Sequence, residues 1–145
     1  MRRVLVIGLS ILALAACGRS EVKSEGKAVV HRDDGATVTI GHNPPANFPP
    51  FLKLYPGAAV RASTDSGPKG GLVVAETQAS PDQVVEFYKK IGSDAGLQVE
   101  IENNSGGSHV VIFHEVNGGK RNFIVTATKQ PGGKTNVGLT YSAQA

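Results

Sequence analysis

The chain has no tryptophan and only one cysteine in 145 residues. A lone thiol closes no internal disulfide, so the fold rests on burial and hydrogen bonding in any redox compartment. No apolar run reaches the roughly 20 residues that a membrane-spanning helix needs. The longest candidate, Val4 to Ala16, ends at Cys17, Gly18, Arg19 and Ser20. There is no basic cluster and no stripe of arginine interleaved with aromatics, which removes the usual footprint of nucleic-acid binding. Fifteen Lys and Arg face twelve Asp and Glu. Setting aside Arg2 and Arg3 ahead of the apolar run leaves thirteen against twelve, an ordinary solvated surface. Also absent are GxGxxG, a P-loop, HxH, HExxH and GxSxG.

What is present begins with an address. Two arginines before an apolar stretch closed by small residues predict an export signal over residues 1–16. At its end, Leu14-Ala15-Ala16-Cys17 resembles the lipobox of bacterial lipoproteins at all four positions. The resemblance implies a diacylglyceryl group on the Cys17 sulfur, cleavage before Cys17, and a further acyl chain, such as palmitate, on the new amine. Each buried methylene contributes about 0.8 kcal/mol, so two or three chains make a lasting membrane anchor. Gly18, where inner-membrane lipoproteins of this kind often carry aspartate, implies the outer membrane, with the domain facing the periplasm.

Residues 17–27 are polar and without an apolar period, which predicts a flexible, lipid-anchored tether. A single globular domain is expected over residues 28–145. It opens with two β-branched runs flanking Asp33-Asp34-Gly35, a hairpin signal. The spacing of those aspartates lacks the alternating ligands and distal glutamate of a calcium loop, so a turn is their expected role. A connector with Pro44, Pro45, Pro49, Pro50 and Pro56 follows, which excludes a regular helix. Its Phe48, Phe51, Leu52, Leu54 and Tyr55 are too apolar to leave in water, at about 1.5 to 3 kcal/mol each on full burial. They predict a strap packed along the domain.

The clearest element is ASPDQVVEFYKKIGSDAG. Ser80 as N-cap, Pro81 at the first helical position and Gln83 closing a capping box start a helix, and Gly96 stops it. Val84, Phe87, Tyr88, Ile91 and Ala95 fall on one face. Gly92 weakens such a helix by about 1 kcal/mol, and no local signal accounts for it. Around the helix stand GLVVAETQ, LQVEI, SHVVIFHEV, RNFIVTAT and TNVGLTYS, separated by glycine-rich tips. The expected fold class is α+β: one helix packed on a mainly antiparallel sheet built as strand, helix and four-strand meander, with an N-terminal hairpin and a Pro-rich connector.

Period-2 alternation assigns Leu97, Val99, Ile101, Val110, Ile112, Phe123, Val125, Val137, Leu139 and Tyr141 to the helix-facing side. Val111, Phe113 and Ile124 then break an otherwise polar opposite face that includes Thr126, Thr128 and Thr140. These three are either covered by the strap or form an interaction patch for a partner.

LYPGAAV followed by TQASPDQVVEFYKKIGSDAGLQV is similar to a recurring pattern in uncharacterised small bacterial envelope proteins. There a Tyr-Pro-Gly-Ala turn, here Tyr55 to Ala58, precedes a helix with Val, Phe and Tyr. The resemblance implies a helix-on-sheet fold and carries no catalytic residues. Tryptophan often stands in that pattern where this chain has Leu97.

Residue chemistry points the same way. His31, His42, His109 and His114 lack metal-ligand spacing, and the last two fall on opposite faces of a regular strand. Glu100 and Glu102, on one face about 7 Å apart, together with Glu115, are expected to be solvated acids rather than a glycosidase pair. No cofactor or metal site is expected. The residues together predict a non-catalytic interaction or accessory module, bound to the membrane through acyl chains on Cys17 and contacting an envelope protein. The alternative is a small-ligand binder that uses the hollow between strap and sheet for a lipid or cell-wall fragment, and a small envelope hydrolase ranks third.

Overall fold

The computed structural model describes residues 20–23, 27–31, 33, 36–40 and 43–142. Cys17, His42 and the expected export signal lie outside them. The elements run β1 (Ser20–Lys23), β2 (Lys27–His31), β3 (Thr37–Ile40), β4 (Ala59–Asp65), β5 (Gly71–Thr77), α1 (Pro81–Asp94), β6 (Leu97–Ser105), β7 (Ser108–Glu115), β8 (Asn122–Lys129) and β9 (Thr135–Tyr141). All the strands join one antiparallel sheet in the order β1-β2-β3-β4-β5-β9-β8-β7-β6. The expected α+β arrangement is what forms, including the meander from β6 to β9 and the β2–β3 hairpin.

Two strands were not legible as such. Ser20–Lys23, read as tether, pairs with β2, so the sheet begins before Ala28. Strand β4 escapes the alternation test because a bulge between Val60 and Ala62 interrupts its phase.

Helix α1 starts as its sequence dictates. The Ser80 hydroxyl accepts from the Gln83 amide at 3.2 Å, and the Gln83 side chain accepts from the Ser80 amide at 2.9 Å. Gly96, at φ +74, takes the left-handed conformation that ends it. The buried arc of α1 is Val84, Val85 and Tyr88, pressed onto β6, β7 and β8.

The Pro-rich strap packs on the same side as α1 and not on the far side. Phe48 meets Tyr141 edge-on at 5.4 Å between ring centroids, Phe51 sits 6.2 Å from Phe123, and Leu52 is buried in the core. The Tyr55 amide donates to the Tyr88 hydroxyl at 3.1 Å. Asn47 donates to the carbonyls of Gly67 and Gly70 at 2.9 Å each and accepts from the Tyr141 hydroxyl at 2.9 Å. Helix and strap together roof one face, called inner below. Among the described residues nothing packs on the other, outer, face.

Register decides which residues lie where. Strand β7 pairs Phe113 with Phe123 and Val111 with Val125, both on the inner face, while Ile112 pairs with Ile124 on the outer face. A second bulge, between Val99 and Ile101, switches Ile101 to the outer face and Glu102 to the inner. The expected core positions Val110, Ile112 and Ile101 are therefore corrected to the outer face. Val99 stays on the inner side at the sheet edge, 41% exposed.

Candidate functional site

Val111 and Phe113, two members of the expected interaction patch, lie at the centre of the core at 0% and 1% exposure. The Phe113 ring stacks on Phe123 at 4.2 Å with 9° between planes. Ile124 points to the outer face. The three do not form one surface: the register sends Val111 and Phe113 under α1 and leaves Ile124 beside Ile112.

Three arrangements remain as candidates. The first is a cleft of about 260 Å³ between strap and helix, lined by Pro50, Phe51, Lys53, Ile91, Asp94 and Ala95. Two features of sequence position it. The prolines carry the strap across the last turns of α1, and the helical period aims Ile91 and Ala95 at the strap. Its floor is apolar. Phe51 is held from behind by the Arg121 guanidinium, 5.7 Å from its ring centroid, and Arg121 is in turn gripped by Glu115. At the rim, Asp94 is paired with Lys90 at 3.0 Å, whereas Lys53 forms no ion pair among the described residues.

The second arrangement centres on His109, buried at 6% exposure. Its Nδ1 lies 3.0 Å from Asp82 in the first turn of α1, and its Nε2 lies 2.9 Å from Glu102 on β6. Asn104 donates to the same Asp82 oxygen at 3.2 Å, and Lys89 approaches Glu102 at 3.1 Å and Glu86 at 3.2 Å. Lys89 first and His109 second hold the Glu102 carboxyl below its ordinary range, and Glu102 and Glu86 push the Lys89 ammonium up. A carboxylate thus stands against each ring nitrogen. The imidazole is a clamp joining the helix start to the sheet edge.

The third is a shallow outer-face groove of about 160 Å³ at Arg61, Glu76 and Lys134. The β4 bulge aims Arg61 at Glu76, whose carboxyl is held low chiefly by the Arg61 hydrogen bond and then by Lys134. These charges satisfy one another.

The other sequence candidates are scattered. His31 is exposed and bonded to Thr37 at 3.2 Å. His114 and Glu100 sit 3.7 Å apart on the outer side, so the bulge places Glu100 and Glu102 on opposite faces rather than one. Glu115 is occupied by Arg121, its carboxyl held below the usual range by that hydrogen bond. Among the described residues no group of three His, Cys, Asp or Glu side chains is placed to hold a metal ion, and no helix is long and apolar enough to cross a membrane. The residues predict a hollow between strap and sheet; the cleft lies instead between strap and helix, two segments about forty residues apart, and the signal for it was the excess of apolar residues among the strap's prolines.

The chain belongs to the START domain-like family, whose model matches residues 58–135, from just before β4 to the first residue of β9. That span is more than half of the chain and includes α1, but excludes the strap up to Gly57. No curated protein and no solved structure matches the chain.

Proposed function

We propose that this chain is a lipid-anchored envelope domain that binds a small amphiphile in the strap–helix cleft. The observation that carries the reading is the cleft itself: an apolar floor with one cation at its rim, Lys53, that has no ion-pair partner among the described residues, set on a START domain-like body. That family supports ligand binding, with lipids as the suggested ligand class. Phe51, Ile91 and Ala95 would take an acyl or ring segment, and Lys53 an anionic head. At about 260 Å³ the cleft falls just below the roughly 300–1,000 Å³ of whole-ligand pockets, so it suits one chain segment or a small cell-wall fragment.

Binding rather than catalysis fits the titratable groups, since His109 and the acids Glu76, Glu102 and Glu115 are each already engaged. The anchor on Cys17 belongs to the same proposal. It would hold the domain at the periplasmic face of the outer membrane, where amphiphiles are concentrated.

The test uses the chain from Ser20 onward, made without the anchor, and a fluorescent fatty acid. Saturable binding that Ile91→Glu abolishes and Lys53→Glu weakens is expected. If native mass spectrometry finds no bound mass and the probe binds equally to wild type and Ile91→Glu, the reading fails.

A further inference from the structure

The outer face presents a row of large apolar side chains, Ile101, Ile112, Ile124 and Leu72, with exposed Thr140 among them. The next row is lower at its middle: Thr126 and Gly138 lie between Val110 and Val74, and Ala62 follows. A ridge thus runs beside a trough.

Gly138 is the telling residue. Glycine inside a strand weakens it, and it often marks a place where something approaches closely. Here its own fold does not require it. A Cβ at Gly138 would meet nothing nearer than 3.8 Å, an ordinary contact with Thr126. By contrast, a Cβ at Gly71 would meet the Tyr141 hydroxyl and the Thr64 carbonyl at 2.5 Å. Among the described residues nothing requires a glycine at this position.

We infer that the outer face is the interface of a two-fold dimer, with each copy's isoleucine ridge seated in the other's Gly138 trough. Charge favours a like partner over an oppositely charged one. The two rows that would form the centre carry no ionised side chain; the charged groups stand at the rim, where Arg61 and Lys134 share Glu76 and Glu100 lies 3.7 Å from His114. The centres of two identical faces therefore meet without charge repulsion. Size agrees as well. Six strands about 4.8 Å apart and about seven residues long give a patch of roughly 550 Å² per copy, or about 1,100 Å² in total. That lies just above the roughly 1,000 Å² expected of a biological interface. Stacked sheets of this kind pack about 10 Å apart, and a two-fold axis makes the contact self-complementary.

The experiment uses the full chain in intact cells, co-expressed with two different epitope tags, and a photo-crosslinking amino acid at Ile124, with Lys90 on the helix as control. Light should produce, from Ile124 only, an adduct of twice the chain mass carrying both tags. Gly138→Val fills the trough in both copies and should lower the adduct about tenfold or more, without lowering the melting temperature of the purified protein. Thr140→Lys, at an exposed site in the ridge, should do the same should the valine variant fail to fold. Absence of the doubly tagged adduct, an adduct with a different protein, or an adduct undiminished in both variants would overturn the dimer.

Discussion

Gly92 lies directly against the ring of Phe113: a Cβ built on it would stand 2.7 Å from Cδ1 and 2.9 Å from Cε1. The helix accepts a poor helix former so that a stacked aromatic pair can sit beneath it. Gly92→Ala should therefore lower stability, since overpacking costs about 1 to 3 kcal/mol and exceeds the helical gain of up to about 1 kcal/mol. A thermal melt decides the matter; a raised melting temperature would mean that Phe113 yields without cost.

Phe113 itself tests where the core lies. Phe113→Ala should cost about 3 to 5 kcal/mol, and Phe113→Glu, which buries a charge with no partner, should prevent folding. Denaturant titration of the alanine variant measures the first. Loss under about 1 kcal/mol would return Phe113 to the surface.

Acid should loosen the molecule. Hydrogen bonds from Arg61 and Lys134 to Glu76, from Lys89 and His109 to Glu102, and from Arg121 to Glu115 hold these carboxyls below their ordinary range. Each contribution is complete above the unfolded value of about 4.3 and disappears as the pH falls through the lower folded value. Melting temperature should thus fall with pH on the acid side, and less steeply in Glu102→Gln. An unchanged slope in that variant would exclude Glu102 as a contributor.

The clamp at His109 should be worth more than an exposed ion pair. His109→Ala removes the buried imidazole that bridges Asp82 and Glu102 and should cost about 2 kcal/mol or more, given the strength of hydrogen bonds to charged groups. Urea unfolding measures this. A cost near zero would mean that water replaces the imidazole freely.

The strap offers a local readout. Tyr88→Phe removes the acceptor of the Tyr55 amide. Exchange of that amide with deuterium should accelerate, while amides in the centre of β8 stay protected. Equal protection in both proteins would show that the hydroxyl is not what holds the strap.

How much of this was legible in the residues follows from the kind of signal each element carries. The capping box, the helical face and the glycine-rich tips are local, and Ser80, Tyr88 and Gly96 stand where the pattern places them. Val137 and Leu139 alternate with Asn136, Gly138 and Thr140, so their inward direction was also readable. Val110, Val111, Ile112 and Phe113 form an unbroken apolar run with no phase, and a one-residue slip reverses both faces. The bulges at Arg61 and near Glu100 leave no mark in composition. Sequence therefore determined the α+β class, the helix and its boundaries. Only the tertiary structure decided which side of the sheet is the core, where the strap lies and which residues line the cleft. Those depend on register and on packing between distant segments, and period-2 alternation encodes neither.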